Sequence, residues 1–507
     1  MTDESAEEPE AGIARKKFDL VEEIKDRVGT VPTRLSRMRW ISAPVRARYF
    51  EGIYSKRYLL FCALASLFTY FVLSGHDEMV RRVAAVFVFA AGCWLFEVFP
   101  IYVTGLMVPV ALTLTGVFSP SESFSSFANP VIFLLLGGLV IGQAFRKYGL
   151  DRRLAYSVLL RSGGNLDRIV LLLMLVTAFL SMWMSNTVAV AILLPVALTI
   201  LASVPDRYKN FKRKVLIGMT VSATLGGMAM LTGSTPNMIA AAFLEGEVGF
   251  GYMHWAYYGV PVVLGSLAGT YIILKRAYPS PIITLDIEDV RSQSNELGAM
   301  NRMQKRVVWV FGITVFLWFF GSELEILLGL PASVSSAAIV SILAVLIMFG
   351  LDILDLRDMT SIQWEIMFLV GGGITLGYAM MSTGAAAEVG NAIVGSVGSL
   401  PLALILVFFI CLSIALTNFI SNSATAAILI PISMEVARVL ESDPVPFVMA
   451  VALASSVAFI TPIGTPSTAM VYSTGLVDKR FLVKNGLVLG LLAASVILLF
   501  VWLLPVP

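Results

Sequence analysis

The chain has 507 residues, 57% apolar and only 14% charged, where soluble domains average about 25% charged. That excludes an ordinary soluble protein and puts most of the chain in a bilayer. With 36 basic against 34 acidic residues, a net charge of +2, bulk charge offers no attraction for nucleic acid.

Residues 1–57 are polar, with an acidic tip (Asp3, Glu4, Glu7, Glu8, Glu10) followed by a basic stretch, and lack the apolar core of a signal peptide. They are expected to form a cytoplasmic segment lying on anionic lipid. Apolar runs able to cross a membrane follow at 58–74, 83–97, 102–118, 130–145, 215–244, 255–274, 307–320, 332–351, 364–381, 447–472 and 487–504. These eleven crossings form a first half, 58–278, and a second half, 307–507, joined by a cytoplasmic linker, 279–306. Two further apolar stretches are each interrupted at the middle, by Ser185-Asn186-Thr187 and by Ser421-Asn422-Ser423. Irregular backbone at membrane depth survives only where protein buries it or water reaches it. Each stretch is therefore expected to be a re-entrant hairpin, 168–203 opening inward and 402–438 opening outward.

Lysine and arginine collect on the cytoplasmic side. With the N-terminus inside and both hairpins returning to their own side, 33 of the 36 basic residues fall in inside segments, and only Arg81, Arg82 and Arg438 fall outside. The C-terminus is then expected outside.

The halves repeat. Asn129-Pro130 before Gly137-Gly138 is echoed by Gln363-Trp364 before Gly371-Gly372. Asn186 and Pro195 each recur 236 positions later, at Asn422 and Pro431, and the break Thr232-Gly233-Ser234-Thr235-Pro236 recurs as Ile463-Gly464-Thr465-Pro466. Landmarks in one order at nearly one spacing mark an internal repeat. The topology above makes it an inverted one, with broken helices meeting near the midplane, which is the architecture of secondary transporters. No GxxxxGK[ST] phosphate loop is present, so gradients rather than ATP are expected to drive transport.

The tips offer hydroxyls, an asparagine carbonyl and freed backbone carbonyls, neutral oxygen donors suited to a hard cation such as sodium. Their amide hydrogens and the adjoining helix N-termini suit an anion's oxygens. Taken singly, such Ser/Thr/Asn clusters are interhelical hydrogen-bond glue; paired by a repeat, they are expected to be binding sites. The spans contain no lysine or arginine, and His76 and His254 fall at outer ends, so a buried anion has no side-chain cation to meet its charge. Cation-coupled symport follows, with an intramembrane antiporter the weaker alternative. Glu97 and Glu365 sit near span ends and are expected to be solvated acids at an interface. Cys62, Cys93 and Cys411 are far apart in apolar runs and suggest no disulfide or metal framework. No nucleophile–base pairing or metal-ligand cluster points to an enzyme.

The twin Ser-Asn-Ser/Thr tips and twin Gly-(Ser)-Thr-Pro breaks resemble the divalent anion/sodium symporter family, bacterial dicarboxylate transporters and citrate and sulfate cotransporters, over about residues 95–507. The resemblance implies an all-α polytopic protein of a bacterial inner membrane, a homodimer with a static scaffold and an elevator-type transport domain. It implies sodium ions as co-transported ligands, no other cofactor, and a small dicarboxylate as partner. By resemblance the first sodium site uses Ser181, Ser185, Asn186 and the break at Gly233; the second uses Thr417, Asn422 and the backbone of Ile420 and Ile460. Substrate carboxylates then touch Asn186, Thr187, Asn422 and Ser423, with Thr461 and Pro462 close by. Ser423 stands where dicarboxylate members generally carry threonine, which makes room in the pocket and leaves citrate and sulfate open beside succinate, malate and fumarate. Sodium-independent exchange, known in the family, also stays open.

Overall fold

The computed structural model describes residues 43–248, 250–281, 288–329, 331, 334, 336–462 and 464–504. Contacts divide the chain after Arg57, and residues 58–507 make up one unit. The expected surface segment 1–57 lies outside the described residues up to Ala43, where helix α1 (Ala43–Val72) begins.

The first half continues with α2 (Glu78–Leu95), α3 (Ile101–Leu114), α4 (Pro120–Ser125), α5 (Pro130–Lys147), α6 (Leu150–Leu159), α7 (Leu166–Ser181), α8 (Asn186–Ala202), α9 (Lys209–Ala229), a 3-10 turn at Leu231–Gly233, α10 (Thr235–Val248) and α11 (Tyr252–Ala277). The second half has α12 (Glu288–Glu296), α13 (Arg302–Leu328), α14 (Ala337–Gly350), α15 (Leu356–Met359), α16 (Glu365–Ser382), α17 (Ala385–Val397), α18 (Leu402–Thr417), α19 (Asn422–Val439), α20 (Pro444–Ala454), α21 (Pro466–Ser473) and α22 (Lys479–Leu503). From α5 and α16 onward the two halves run through the same order of elements.

Among the described residues α5, α11, α13, α16 and α22 are long and apolar enough to cross a bilayer, and several shorter apolar helices accompany them. Helices of this length and composition suit a membrane protein. The expected linker 279–306 is partly helical: α12 lies within it, and α13 begins at Arg302, where the Asn301 side chain accepts from Gln304 N at 2.8 Å and Gln304 Oε1 accepts from Asn301 N at 3.0 Å. Such a reciprocal cap stops the helix running back into the linker.

The halves interlock rather than sit side by side, because α3 packs on α16 and α5 on α14. Glycines allow this. A Cβ at Gly105 would lie 2.6 Å from the Phe368 carbonyl oxygen, and one at Gly372 would collide with the Gly105 backbone. Small residues let helix backbones touch where lipid supplies no hydrophobic drive. Gly226 does the same between α9 and α7, where a Cβ would overlap the backbone of Ala178.

The start of α7 is fixed by charge. Lys214 of α9, 1% exposed, donates to Ser280 Oγ at 2.7 Å, which donates to Asp167 Oδ1 at 2.5 Å; Lys214 and Lys275 stand 3.5 and 3.4 Å from the same carboxylate. Burial opposes ionisation of Asp167, but the Ser280 hydroxyl and the two ammonium groups outweigh it and hold the carboxyl below its ordinary range.

Candidate functional site

Each interrupted stretch is a pair of helices packed on one another across a four-residue break. The two breaks follow one backbone path. In the first, Trp183 N and Met184 N both donate to Leu180 O at 3.1 Å; in the second, Phe419 N and Ile420 N both donate to Leu416 O at 2.9 Å. Ser185 (φ −59°, ψ 144°) and Ser421 (φ −58°, ψ 139°) then turn the chain into α8 and α19. A serine at this position ordinarily caps the new helix with its hydroxyl. Neither does so here, and the first-turn amides of α8 and α19 are left for another acceptor.

The tips also share a clasp. Ser181 Oγ donates to Asn186 Oδ1 at 2.7 Å, and Thr417 Oγ1 to Asn422 Oδ1 at 2.8 Å, each across five residues. Ser181 and Thr417 are fully buried, so each clasp holds its asparagine from behind. A Cβ at Gly227 would collide with Asn186 Oδ1, so bare backbone there gives the first asparagine its place.

Broken helices close the site from the other direction. The first break is the 3-10 turn at Leu231–Gly233, and α10 restarts at Thr235; a Cβ on Gly233 would sit 2.6 Å from Gly227 O and 2.9 Å from Ser181 O, which places those carbonyls against the break. Asn237 stitches it, donating to Gly227 O at 2.8 Å and Met230 O at 2.7 Å. In the second break none of the described residues between Ser455 and Thr465 is helical, and Thr465 caps α21 by accepting from Thr468 N at 3.2 Å. Here the stitch comes from the tip. Asn418, 3% exposed, donates to Val457 O at 3.3 Å, accepts from Ile460 N at 2.9 Å, and offers its carbonyl to Thr461 Oγ1 at 2.8 Å. Ser455 O also lies within hydrogen-bonding reach of Thr417 Oγ1, which shares its one hydrogen between this carbonyl and Asn422 Oδ1.

Both tips and both breaks line one cavity of about 620 Å³. Asn186, Thr187, Asn422 and Ser423 of the tips face it, with Ser185, Ile420, Gly233 and Ser234, and Gly464, Thr465 and Ser467. The N-terminal ends of α8, α10, α19 and α21 thus converge, and each brings partial positive charge; the free first-turn amides belong to α8 and α19, since Pro236 and Pro466 stand in the first turns of α10 and α21 and Thr468 N is capped by Thr465. Ser181 and Thr417 stand behind the wall. Thr461 and Pro462, expected beside the substrate, do not line the cavity: the Thr461 hydroxyl is occupied by Asn418, and residues 464–467 form that wall instead. Ile460 likewise contributes its N–H to Asn418 and does not reach the cavity.

Three features were missed in the sequence. Asn418 precedes the recognised triplet and has no counterpart, since Met182 holds the equivalent place. Glu97 and Glu365, expected as acids at an interface, both line the cavity with Gln363; a residue facing a wet cavity has the same hydropathy as one facing bulk water. Trp183 and Phe419 flank the tips as matched aromatics, and Trp183 stacks on Trp318 with centroids 6.4 Å apart. No lysine or arginine is among the described residues lining the cavity.

The sequence pattern of the citrate transporter family matches residues 91–441 and 419–506. An uncharacterized transporter of Haemophilus influenzae is 33% identical over 425 residues, covering 82% of this chain and 89% of its own. The sodium-dependent dicarboxylate transporter SdcS of Staphylococcus saprophyticus is 28% identical over 447 residues, covering 84% of this chain and 86% of its own. Among solved structures, Neisseria gonorrhoeae MtrF, described with a class of antimetabolite efflux pumps, shares the fold with a TM-score of 0.53 at 13% identity, over 80% of this chain and 86% of that one.

Proposed function

Because the chain belongs to the citrate transporter family, whose members are transporters and not enzymes, we propose that it is a sodium-coupled symporter of C4-dicarboxylates such as succinate, malate or fumarate. One observation carries this: four helix N-termini and two clasped asparagines face a single cavity whose described lining holds two carboxylates and no basic side chain. An anion drawn to the amides still carries charge that the wall cannot neutralise, and Glu97 and Glu365 add to the deficit. Bound cations make it good. The carbonyl ends of α7 and α18, beside the Ser181–Asn186 and Thr417–Asn422 clasps, supply neutral oxygens of the kind sodium takes. The dicarboxylate preference and the sodium dependence named for SdcS support the same assignment.

The sodium sites comprise Ser181, Ser185, Asn186 and Gly233 on one side and Thr417, Ile420, Asn422 and Ile460 on the other. The substrate touches Asn186, Thr187, Asn422 and Ser423. The paired helices are re-entrant, the N-terminus is cytoplasmic and the C-terminus outside. Transport proceeds by elevator motion in a homodimer.

Uptake of labelled succinate into proteoliposomes tests the coupling. An inward sodium gradient is expected to raise the initial rate several-fold over an equal potassium gradient. Equal rates would remove sodium from the mechanism, and sodium-independent counterflow from preloaded vesicles would make the protein an exchanger.

A further inference from the structure

A narrow cleft lies beside the central cavity at the first tip. Gly138, Leu139, Met184, Ser185 and Gln363 line both, and Arg146 lines the cleft alone. Its free space is about 20 Å³, enough for one water molecule or one carboxylate oxygen. Gly138, Gly142 and Arg146 follow at intervals of four along α5 and so share one face. Gly142 is the turn nearest the arginine, and there the helix presents bare backbone to Met184 and Trp183.

Arg146 differs from the lysine beside it. Lys147 Nζ is paired with Asp358 at 2.6 Å, whereas Arg146 makes one hydrogen bond, to Gln143 Oε1 at 2.5 Å, and among the described residues no carboxylate lies within 4 Å of it. Asp151 feels its charge from farther off. Ser185 Oγ, also on the cleft, is buried and has no hydrogen-bond partner. An unpaired guanidinium and an unpartnered buried hydroxyl at one oxygen-sized opening form a site for a negatively charged oxygen.

We propose that Arg146, with Ser185 and Gln363, is a specificity-determining subsite that receives an oxygen of a third carboxylate when the transported anion is a tricarboxylate. The proposal rests on the proposed function, in which two carboxylates occupy the region between the tips. A branch carrying a third carboxylate then needs a cation that two sodium ions do not supply, and among the described residues Arg146 is the basic residue lining the cleft that shares its wall with that cavity.

The test compares citrate with succinate as competitors of labelled succinate uptake at neutral pH, in the wild-type protein, Arg146→Gln and Arg146→Lys, with unfolding midpoints measured in each anion. Arg146→Gln is expected to raise the half-inhibiting concentration of citrate relative to that of succinate by about tenfold or more, the loss of a charge-assisted hydrogen bond. Arg146→Lys recovers part of it. An unchanged citrate-to-succinate ratio in Arg146→Gln would overturn the subsite and leave the symporter standing. So would a wild-type protein that citrate neither inhibits nor stabilises, whatever the variants do. A wild-type protein that carries no succinate, yet is stabilised by citrate in an Arg146-dependent way, would overturn the proposed function and keep the subsite.

Discussion

Asn186→Ala and Asn422→Ala are each expected to lower sodium-driven uptake by about a hundredfold or more while the protein still purifies as a monodisperse species. Each asparagine holds two roles at once. Its Oδ1 accepts from the buried hydroxyl of Ser181 or Thr417, on the side where helix carbonyls end. Its amide hydrogens have no acceptor among the described residues, and its side chain faces the cavity. Under the proposed function, truncation therefore removes an oxygen from the proposed cation side and two donors from the proposed anion side of one site. Two lost charge-assisted hydrogen bonds at about 1.5 kcal/mol each reach that factor, before counting the coupling between cation and anion. The structural cost is the loss of one buried hydrogen bond: it orphans the Ser181 hydroxyl in Asn186→Ala, at about 1 to 3 kcal/mol, and less in Asn422→Ala, where Thr417 keeps Ser455 O. Normalised uptake at the wild-type rate in either variant would return that tip to helix-packing glue.

Asn418→Ala is expected to abolish uptake by a different route, through the shape of the second break. The residue is almost fully buried, and its amide spans from α18 to the stretch between α20 and α21, satisfying Val457 O and Ile460 N. Without it, the buried carbonyl of Val457 loses a partner at about 1 to 3 kcal/mol and the part-buried amide of Ile460 loses one at a smaller cost. That strain falls on the segment carrying Gly464 and Thr465 into the cavity wall. Unlike the tip variants, Asn418→Ala should show a clearly lowered unfolding midpoint together with the loss of transport. A variant of wild-type stability and activity would show that the break holds its path by packing alone.

How far the molecule was legible follows from what each residue had to do. The tips stood out because Ser-Asn-Thr and Ser-Asn-Ser are polar triplets inside long apolar runs, repeated at one spacing. The breaks stood out because Thr-Pro interrupts a helix. Helices α6 and α17 were not anticipated: Asp151, Arg152 and Arg153 make α6 too polar for a span, and α17 is rich in small residues. Both are short, and hydropathy finds spans, not the struts between them. Arg146 was counted with its charged neighbours on the cytoplasmic side. Nothing in the sequence distinguishes it from Lys147; the pairing of Lys147 with Asp358 and the place of Arg146 on the cleft set the two apart. Glu97 adopts φ +47°, a turn that carries the chain from α2 toward α3, and neither that conformation nor its place on the cavity can be read from an acid at the end of an apolar run.

The two breaks are fastened differently, and the difference bears on how readily each gives way. Among the described residues, one hydrogen bond ties the first tip to its break, from Thr232 Oγ1 to Met182 O at 3.2 Å. The second tip is tied by Thr417, by both faces of the Asn418 amide, and by Thr461. Separating a tip from its break exposes these bonds to water, so local opening costs less in the first half than in the second. A chain with two halves of one plan thus has a soft seam and a stiff one. Hydrogen exchange at the amides of Gly233 and Ile460 reads the contrast, and slower exchange at Gly233 would reverse it. A carrier with unequal seams can work equally well in both directions at equilibrium and still pass through its two half-cycles at different speeds.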